Sequence, residues 1–179
     1  QITSAMKMIA ASRLHRYQQS IAGLREYTAS LQLMLDEVLK TATPDQWPEV
    51  LGSRPLNRVL VISLASNKGM CGSYNQQVLK ATLGHLNLLR NDGLESALIL
   101  SGKKNEAFLK KTVDVTMETV HELADKPSYG SVSGFADGLI GRYLDGEFDR
   151  IDLIYHRFKN ALVQEVCMET WMPLPPSIV

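Results

Sequence analysis

Residues 1–40 read QITSAMKMIAASRLHRYQQSIAGLREYTASLQLMLDEVLK, and this stretch decides how the rest of the chain can be arranged. It contains no proline and a single glycine, Gly23, so little in it interrupts a helix. Its apolar side chains recur mostly at steps of three and four residues, which places them on one stripe of a helix. They are Ile2, Ala5, Met6, Ile9, Tyr17, Ile21, Leu24, Tyr27, Leu31, Leu35 and Val38.

The predicted helix is long for its chain. It would measure roughly 60 Å at about 1.5 Å per residue, whereas 179 residues should fold with a radius of gyration near ~16 Å. We therefore expect part of the helix to project from its domain. Steps averaging about 3.5 residues are typical of coiled coils, and no second stretch of this chain is comparable. The partner is predicted to be another chain or sequence beyond these residues.

The charge on this helix is uneven. Lys7, Arg13, Arg16 and Arg25 all precede the first acidic residue, Glu26. AASRLHR, residues 10–16, also interrupts the apolar stripe with small and basic side chains. Two interpretations stay open: the solvated face of an ordinary helix, or a shaft that runs inside an acidic protein collar.

The composition excludes several classes of protein. Hydrophobic residues make up 45% of the chain, which is enough for a packed core. The net charge is +0, so a nucleic-acid binder with a global positive field is not expected. No apolar run approaches the ~18 residues of a membrane span, and no signal peptide is recognisable. Because the helical pattern is already under way at Gln1 and no initiator methionine is present, we expect a fragment trimmed at its N-terminus.

Cysteine and histidine patterns predict no metal site. Cys71 and Cys167 lie far apart and form neither a CxxC motif nor a zinc spacing, so two reduced thiols are expected. The histidines are scattered, and none belongs to an HExxH cluster. We expect no metal, no cofactor and no catalytic residue.

The rest of the chain alternates strands and helices. Residues 41–56 contain three prolines and a glycine and predict a connector. Strands are predicted at 57–65, 95–102, 113–120, 148–158 and 162–172, helices at 76–91, 103–111 and 132–144, and a turn at 127–130. The short KNA segment predicts an antiparallel hairpin of the last two strands. Residues 57–179 are therefore predicted to form a Rossmann-like α/β domain with a mostly parallel five-stranded sheet.

The loop SNKGMCGSYN, residues 66–75, lies where such domains bind phosphate. It lacks the G-x-G-x-x-G and P-loop patterns, and GSVSG at 130–134 lacks the serine of a nucleophile elbow. We expect Gly69 and Gly72 to shape a sharp turn, Ser66 and Ser73 to cap helices, and Lys68 to be exposed. Cys71 is expected to be tightly packed; a reactive thiol is the less favoured alternative.

Three separated segments resemble the gamma subunit of F-type ATP synthases. SNKGMCGSYN, with Ser66, Lys68, Gly69, Cys71, Gly72, Tyr74 and Asn75, is similar to that family's S-[DN]-[RK]-G-[LM]-C-G-x-[YFL]-N signature. ITSAMKMIAASRL resembles its N-terminal helix. FKNALVQEVCMETWMPLP resembles the segment that leads out of its central domain.

The resemblance implies a rotor shaft and its partners. In the family, the N-terminal helix pairs with a long C-terminal helix inside a ring of alpha and beta subunits, and the foot binds the epsilon subunit and the membrane c-ring. We expect that C-terminal helix to lie outside this sequence. Met6, Lys7 and Ile9 match the part of the helix near acidic lever segments of the beta subunits, and Arg13 and Arg16 would extend this basic contact.

The predicted function is a non-catalytic central stalk that couples proton-driven rotation to ATP synthesis. The resemblance implies a peripheral membrane location, on the cytoplasmic face of a bacterial plasma membrane or the matrix side of a mitochondrial inner membrane. One alternative is a Rossmann-like nucleotide-binding enzyme domain with a helical arm. Another is a coiled-coil adaptor for an unrelated acidic partner.

Overall fold

The computed structural model describes residues 2–41, 43, 47–125, 127–160 and 162–174. Parts of the predicted connector, the hairpin residue Ala161 and residues 175–179 lie outside the described residues. Two compact units are present, one up to Trp47 and one formed by Pro48–Pro175.

The first unit contains one continuous helix, α1 (Ile2–Thr41). No break or turn divides it, which agrees with the absence of proline and the tolerance of a single internal glycine. Serine and threonine hydroxyls within it donate to carbonyl oxygens three or four residues earlier, as Ser20 does to Arg16 and Ser30 to Glu26. These polar side chains are therefore satisfied inside the helix itself.

The second unit opens with a 3₁₀ turn, Glu49–Leu51, and contains five strands and four helices among its described residues. The strands are β1 (Arg58–Leu64), β2 (Glu95–Ser101), β3 (Thr116–Thr119), β4 (Arg150–Phe158) and β5 (Gln164–Met172). The helices are α2 (Tyr74–Asn91), α3 (Glu106–Thr112), α4 (Glu122–Asp125) and α5 (Tyr129–Leu144).

The strands form one sheet in the order β3-β2-β1-β4-β5. The pairs β1–β2, β1–β4 and β2–β3 are parallel, and β4–β5 is antiparallel. The predicted mostly parallel five-stranded sheet and its closing hairpin are thus confirmed. The order reverses at β1, because β2 and β3 extend to one side of it and β4 and β5 to the other.

Alternating residues of the central strands face two separate cores. Val59 and Val61 of β1 pack with α2 and α3 on one face. Leu60 and Ile62 pack with α5 and Met172 on the other. Both clusters are almost fully excluded from solvent, which explains why β1 and β2 read as continuous apolar runs rather than alternating ones.

Several predicted boundaries are wrong. Helix α3 starts at Glu106 rather than 103, β3 covers only Thr116–Thr119 of the predicted 113–120, and β5 begins at Gln164 rather than 162. Helix α2 starts two residues early, at Tyr74, and the predicted turn at 127–130 runs into α5. Helix α4 was not predicted, since a single helical turn carries too little periodicity to be recognised.

The start of α5 has a clear physical cause. The Ser128 hydroxyl accepts a hydrogen bond from the Ser131 N–H at 3.2 Å, and the Ser131 hydroxyl accepts one from the Ser128 N–H at 3.1 Å. This reciprocal pair is a capping box, which satisfies two donors at the first turn. It fixes the helix start three residues before the predicted position at 132.

The chain enters and leaves the sheet at the same end. Strand β1 starts at this end and the antiparallel β5 finishes there, with Met172 opposite Ile151. A backbone hydrogen bond of 2.8 Å joins the Leu174 N–H to the Val50 carbonyl. The segments before β1 and after β5 therefore lie side by side.

Candidate functional site

The predicted partner-contact residues of α1 are Met6, Lys7, Ile9, Arg13 and Arg16, and all five are exposed in this helix. Since successive helix residues lie about 100° apart, Met6, Ile9, Arg13 and Arg16 fall within about 80° of one another. Lys7 lies about 100° from Met6. The two arginines thus stand in the apolar stripe rather than on the opposite face.

The apolar stripe continues along α1 as an exposed surface. Tyr17, Leu24, Tyr27 and Val38 each expose more than half of their surface, at 56%, 61%, 62% and 62%. Large apolar side chains exposed in such a row usually mark a contact surface rather than a solvated face. Met8 and Leu33 are exposed at 67% each on the other side of the helix, so its apolar surface is not confined to one stripe.

The loop between β1 and α2, residues 66–73, is organised by Asn75. Its carboxamide oxygen accepts from the Ser66 N–H at 3.0 Å, and its Nδ2 lies 3.0 Å from the Cys71 sulfur and 3.3 Å from the Lys68 carbonyl. The Lys68 carbonyl and the Asn75 side chain therefore fill the interior of the loop. A phosphate site would instead need free backbone N–H donors that point into this space. Asn75 was singled out in sequence as part of the signature only; its structural role was not foreseen.

Three expectations for this loop are corrected. Cys71 is exposed rather than tightly packed. Ser73 occupies the N-cap position of α2 without a capping hydrogen bond, because its hydroxyl accepts from Gln77 Nε2 at 3.1 Å instead. Ser66 caps no helix; its hydroxyl donates to the Lys68 carbonyl at 2.5 Å.

Positive φ values at Met70 (61°) and Gly72 (60°) produce the expected sharp turn. Met70 is the most exposed large apolar residue of the loop, at 96%. Lys68 is exposed as expected. Gly69 does not have a positive φ, but a side chain there would meet Lys104 at 3.4 Å. The loop therefore presents Lys68 and Met70 on a fixed backbone.

The loop after β2 locks against the loop after β1. Gly102 has a φ of +107°, and a Cβ there would lie 2.4 Å from the Ala65 carbonyl group. The Lys103 N–H donates to Asn67 Oδ1 at 2.9 Å, and Asn67 Nδ2 donates to the His121 carbonyl at 3.0 Å. The carboxyl ends of β1, β2 and β3 are thereby tied together.

Tyr74 and His156 stack at the start of α2, with ring centroids 4.1 Å apart. The His156 Nε2 lies 3.0 Å from the Tyr74 carbonyl oxygen, a distance at which a ring N–H donates a hydrogen bond to it. Burial raises the pKa of the Tyr74 hydroxyl, and the neighbouring Cys71 adds to the effect. The pair fixes the N-terminal end of α2 to β4.

A buried polar cluster between α2 and β4 was missed in sequence. Asp152 of β4 is fully buried and accepts hydrogen bonds from His85 Nε2 at 2.8 Å, Arg150 Nε at 3.0 Å and Thr170 Oγ1 at 2.9 Å. Burial alone would raise the pKa of the Asp152 carboxyl, but the hydrogen bonds and the Arg150 charge outweigh it and hold the pKa below its usual value. The signal was an acid inside the apolar run RIDLI.

No arrangement in the described part of the chain suggests catalysis. Within it, no three His, Cys, Asp or Glu side chains are grouped closely enough to hold a metal ion. None of the helices found there combines the length and the hydrophobicity that crossing a membrane would require. The α1 residues and the loop residues belong to different units.

Comparisons with known proteins identify the family of this chain. The profile of a family described as ATP synthase matches residues 1–178. The ATP synthase gamma chain of Bacteroides fragilis is 37% identical over 179 residues, covering 99% of this chain and 61% of the relative. That of Flavobacterium psychrophilum is 34% identical over 176 residues, covering 98% and 60%. The chain spans about three fifths of the length of these curated relatives.

A solved structure supports the fold. The chain resembles one in a cryo-EM structure of the Tetrahymena thermophila mitochondrial ATP synthase, central stalk and c-ring, with a TM-score of 0.68 and 24% identity. The match covers 97% of this chain and 73% of the other. With a family profile that matches residues 1–178 and a gamma-chain relative that is 37% identical over 179 residues, this chain belongs to the ATP synthase gamma-chain family.

Proposed function

We propose that this chain is the non-catalytic central-stalk subunit of an F-type proton-translocating ATP synthase. It couples rotation driven by proton flow to ATP synthesis at the ring of alpha and beta subunits. The observation that carries the proposal is α1 itself: an unbroken helix whose large apolar side chains remain exposed in a row. Such a surface is costly in water unless a partner covers it.

The mechanism needs no bond chemistry on this chain. A helix whose apolar and basic side chains are unevenly distributed around its axis presents different surfaces in different directions. As it turns inside a ring of three catalytic sites, each site meets a different surface, and its open and closed forms are stabilised unequally. Only this difference in contact free energy can shift the population of each site.

We propose that the start of α1 is the sliding contact with the ring. Met6 and Ile9 supply apolar area, and Arg13 and Arg16, on the same face, meet acidic segments of the beta subunits. Lys7 extends the basic surface around the helix. Exposed ion pairs are each worth only about 0–1 kcal/mol, so this contact orients the shaft without holding it in one position, as a rotating part requires.

The other partners follow from the same proposal. The epsilon subunit and the membrane c-ring bind the foot of the stalk, and a long C-terminal helix pairs with the α1 stripe. The chain is then a peripheral membrane protein, and we place it on the cytoplasmic face of a bacterial plasma membrane. Its curated relatives in Bacteroides and Flavobacterium support the bacterial assignment over the mitochondrial one.

The alternative, a nucleotide-binding enzyme domain, has less support. The signature loop, which includes Ser66, Lys68, Gly69, Cys71, Gly72, Tyr74 and Asn75, is filled by the Asn75 carboxamide rather than open to a phosphate. We propose that the loop stabilises the domain and presents Lys68 and Met70 to a partner. Saturable ATP binding to the isolated chain at micromolar concentration would favour the alternative.

The proposal is tested by Met6→Lys in the intact complex. A lysine in a close apolar contact pays a desolvation cost that varies as the helix turns, so we expect less proton pumping per ATP hydrolysed in membrane vesicles. Ser4→Lys is the matched control, because Ser4 is exposed about 160° away around α1. Unchanged coupling in Met6→Lys, or an equal loss in both variants, would contradict a bearing role for this face.

A further inference from the structure

An apolar cavity of about 570 Å³ lies between the sheet and α5, within the second unit. The sheet side is formed by Ile62 and Leu64 of β1, Leu153 of β4 and Trp171 of β5, and the helix side by Phe135 and Leu139. Small-molecule sites usually measure roughly 300–1,000 Å³ and are mostly apolar. The cavity also reaches the carboxyl ends of β1 and β2, beside the strand where the sheet order reverses, which is where open α/β sheets bind ligands.

One end of the cavity carries a hydroxyl that makes no hydrogen bond to a described protein group. Ser101, the last residue of β2, is only 3% exposed and lines the cavity. Among the described residues, its hydroxyl has no hydrogen-bond partner. Ser63 on the neighbouring strand provides the contrast, because its buried hydroxyl pairs with that of Thr82 at 2.8 Å. The Ser101 oxygen is not among the fully buried atoms that lack a partner, so it is accessible from the cavity and can bond a ligand atom or water there.

The lining selects an uncharged ligand. No Lys, Arg, His, Asp or Glu side chain is among the residues that line the cavity. A carboxylate or an ammonium group inside it would be desolvated without an opposite charge, which is strongly unfavourable. The Ser101 hydroxyl can donate and accept, so it suits an alcohol or carbonyl group.

The shape of the cavity selects a long ligand. Ser101 lies on β2 and Trp171 on β5, and β1 and β4 separate them. With neighbouring strands about 4.8 Å apart, the cavity crosses roughly 14 Å of sheet. Between these ends the floor is aliphatic, with Leu64, Ile62 and Leu153 in succession.

We propose that this cavity binds an uncharged single-chain amphiphile, with its hydroxyl or carbonyl head group hydrogen-bonded to Ser101 and its alkyl chain lying across β1 and β4 toward Trp171. The site is independent of the rotor contacts on α1. The ligand would lie beside β1, where the strand order of the sheet reverses and where no phosphate-binding loop is present among the described residues.

The test is a titration of the full chain with 1-octanol and 1-decanol, followed by Trp171 fluorescence in a Trp47→Phe background. Each added methylene should tighten binding by about fourfold while the chain still fits. Ser101→Ala should weaken 1-decanol binding by about fivefold. Decanoate, of equal length but charged, should bind more weakly than 1-decanol.

Two further variants separate the cavity from non-specific adsorption. Ala136→Phe fills the cavity and should abolish the fluorescence change, whereas Ala107→Phe, on the exposed surface of α3, should leave it unaltered. Thermal unfolding verifies that each variant is folded. If Ala136→Phe does not fold, the affinity of Ser101→Ala for 1-decanol tests the proposal instead. A non-saturating signal, equal affinity in Ser101→Ala, or decanoate binding as tightly as 1-decanol would overturn the proposal.

Discussion

At the scale of single residues, Gly102 is the most constrained glycine of the sheet domain. Its φ of +107° is rare for other residues, and a Cβ would clash with the Ala65 carbonyl group at 2.4 Å. Neither backbone segment can move away cheaply, because the Ala65 N–H is itself bonded to the Ser101 carbonyl at 2.7 Å. Both strain and collision therefore oppose a side chain here.

We predict that Gly102→Ala lowers the free energy of unfolding by about 2–4 kcal/mol. Gly84→Ala is the matched control: Gly84 lies inside α2, is exposed, and a Cβ there meets nothing within 4 Å. That change should raise the free energy of unfolding by about 0.5–1 kcal/mol. Urea titration followed by circular dichroism measures both, and a neutral Gly102→Ala would refute the packing described for these two loops.

Asp152 is the second residue on which the domain depends. Replacing it by asparagine keeps its shape but leaves Arg150 and His85 without their carboxylate, and breaking a buried ion pair typically costs about 3–5 kcal/mol. We predict a loss of at least about 3 kcal/mol near neutral pH for Asp152→Asn. Glu165→Gln, in an exposed pair with Lys159, should change the free energy of unfolding by less than about 1 kcal/mol.

The same carboxylate gives this loss a pH dependence. The pKa of Asp152 is lower in the folded state than in the unfolded chain, where it is about 3.9. Its ionisation therefore stabilises the fold above that pH, and the contribution declines as pH falls toward the folded-state pKa. The difference between wild type and Asp152→Asn should shrink in urea titrations below about pH 4; a constant difference would contradict the network.

The structural roles of some of these residues could be predicted from the sequence, and those of others could not. The sequence predicts Gly72 as a turn residue, because the G-x-x-G pattern after a strand matches neither phosphate-binding motif and a sharp turn accounts for its glycines. Asn75 and Asp152 act through polar partners at other positions of the chain: Ser66 lies 9 residues before Asn75, and His85 lies 67 residues before Asp152. Periodicity describes which face a residue occupies, but it does not show which distant polar group occupies the same space.

At the scale of elements, α5 contains more glycine than its own packing requires. Gly130, Gly134, Gly138 and Gly141 have no atom within 4 Å of a Cβ built on them. An exposed glycine inside a helix costs about 1 kcal/mol relative to alanine. The helix is therefore less stable than a helix with alanine at the same positions would be.

We predict that Gly138→Ala raises the free energy of unfolding by about 0.5–1 kcal/mol. Gly146→Ala is the control just beyond the same helix, where a φ of +76° should make the substitution destabilising by about 1–2 kcal/mol. Thermal unfolding of the two variants tests both signs. If Gly138→Ala is destabilising, the exposed face of α5 is covered in solution.

Element types were predicted better than element ends, for a local reason. A buried strand such as β1 is a run of apolar residues that reads the same in sequence and in structure. Residues 103–105 carry a helical pattern but form a turn, because Gly102 redirects the chain and Asn67 holds the Lys103 N–H. Val113 ends α3 in an extended conformation, and β3 is limited to the four residues that pair with β2.

At the scale of the whole molecule, the two cores of the sheet domain are made from its own residues. Every apolar side chain in both clusters belongs to residues 50–174. We predict that residues 48–175 alone fold and unfold in one cooperative urea transition, with a slope of about 1–3 kcal/mol/M. Loss of β-sheet circular dichroism in that shorter chain would show that residues 1–47 contribute to its core.

The sequence could not provide the strand order. Alternation of strands and helices predicts a parallel sheet, and a short connection predicts the β4–β5 hairpin. Whether the third strand joins one side of β1 or the other depends on which helix faces pack together, and several arrangements satisfy the same pattern. The resemblance to a known family carried the function, since neither surface chemistry nor motif alone identifies a rotor.

The hydrogen bond between Val50 and Leu174 has a mechanical consequence. The segments before β1 and after β5 lie side by side. A force applied between them therefore acts on this backbone hydrogen bond before it stretches the strands. Within residues 50–174, the five strands therefore lie outside the shortest load-bearing path between the two ends.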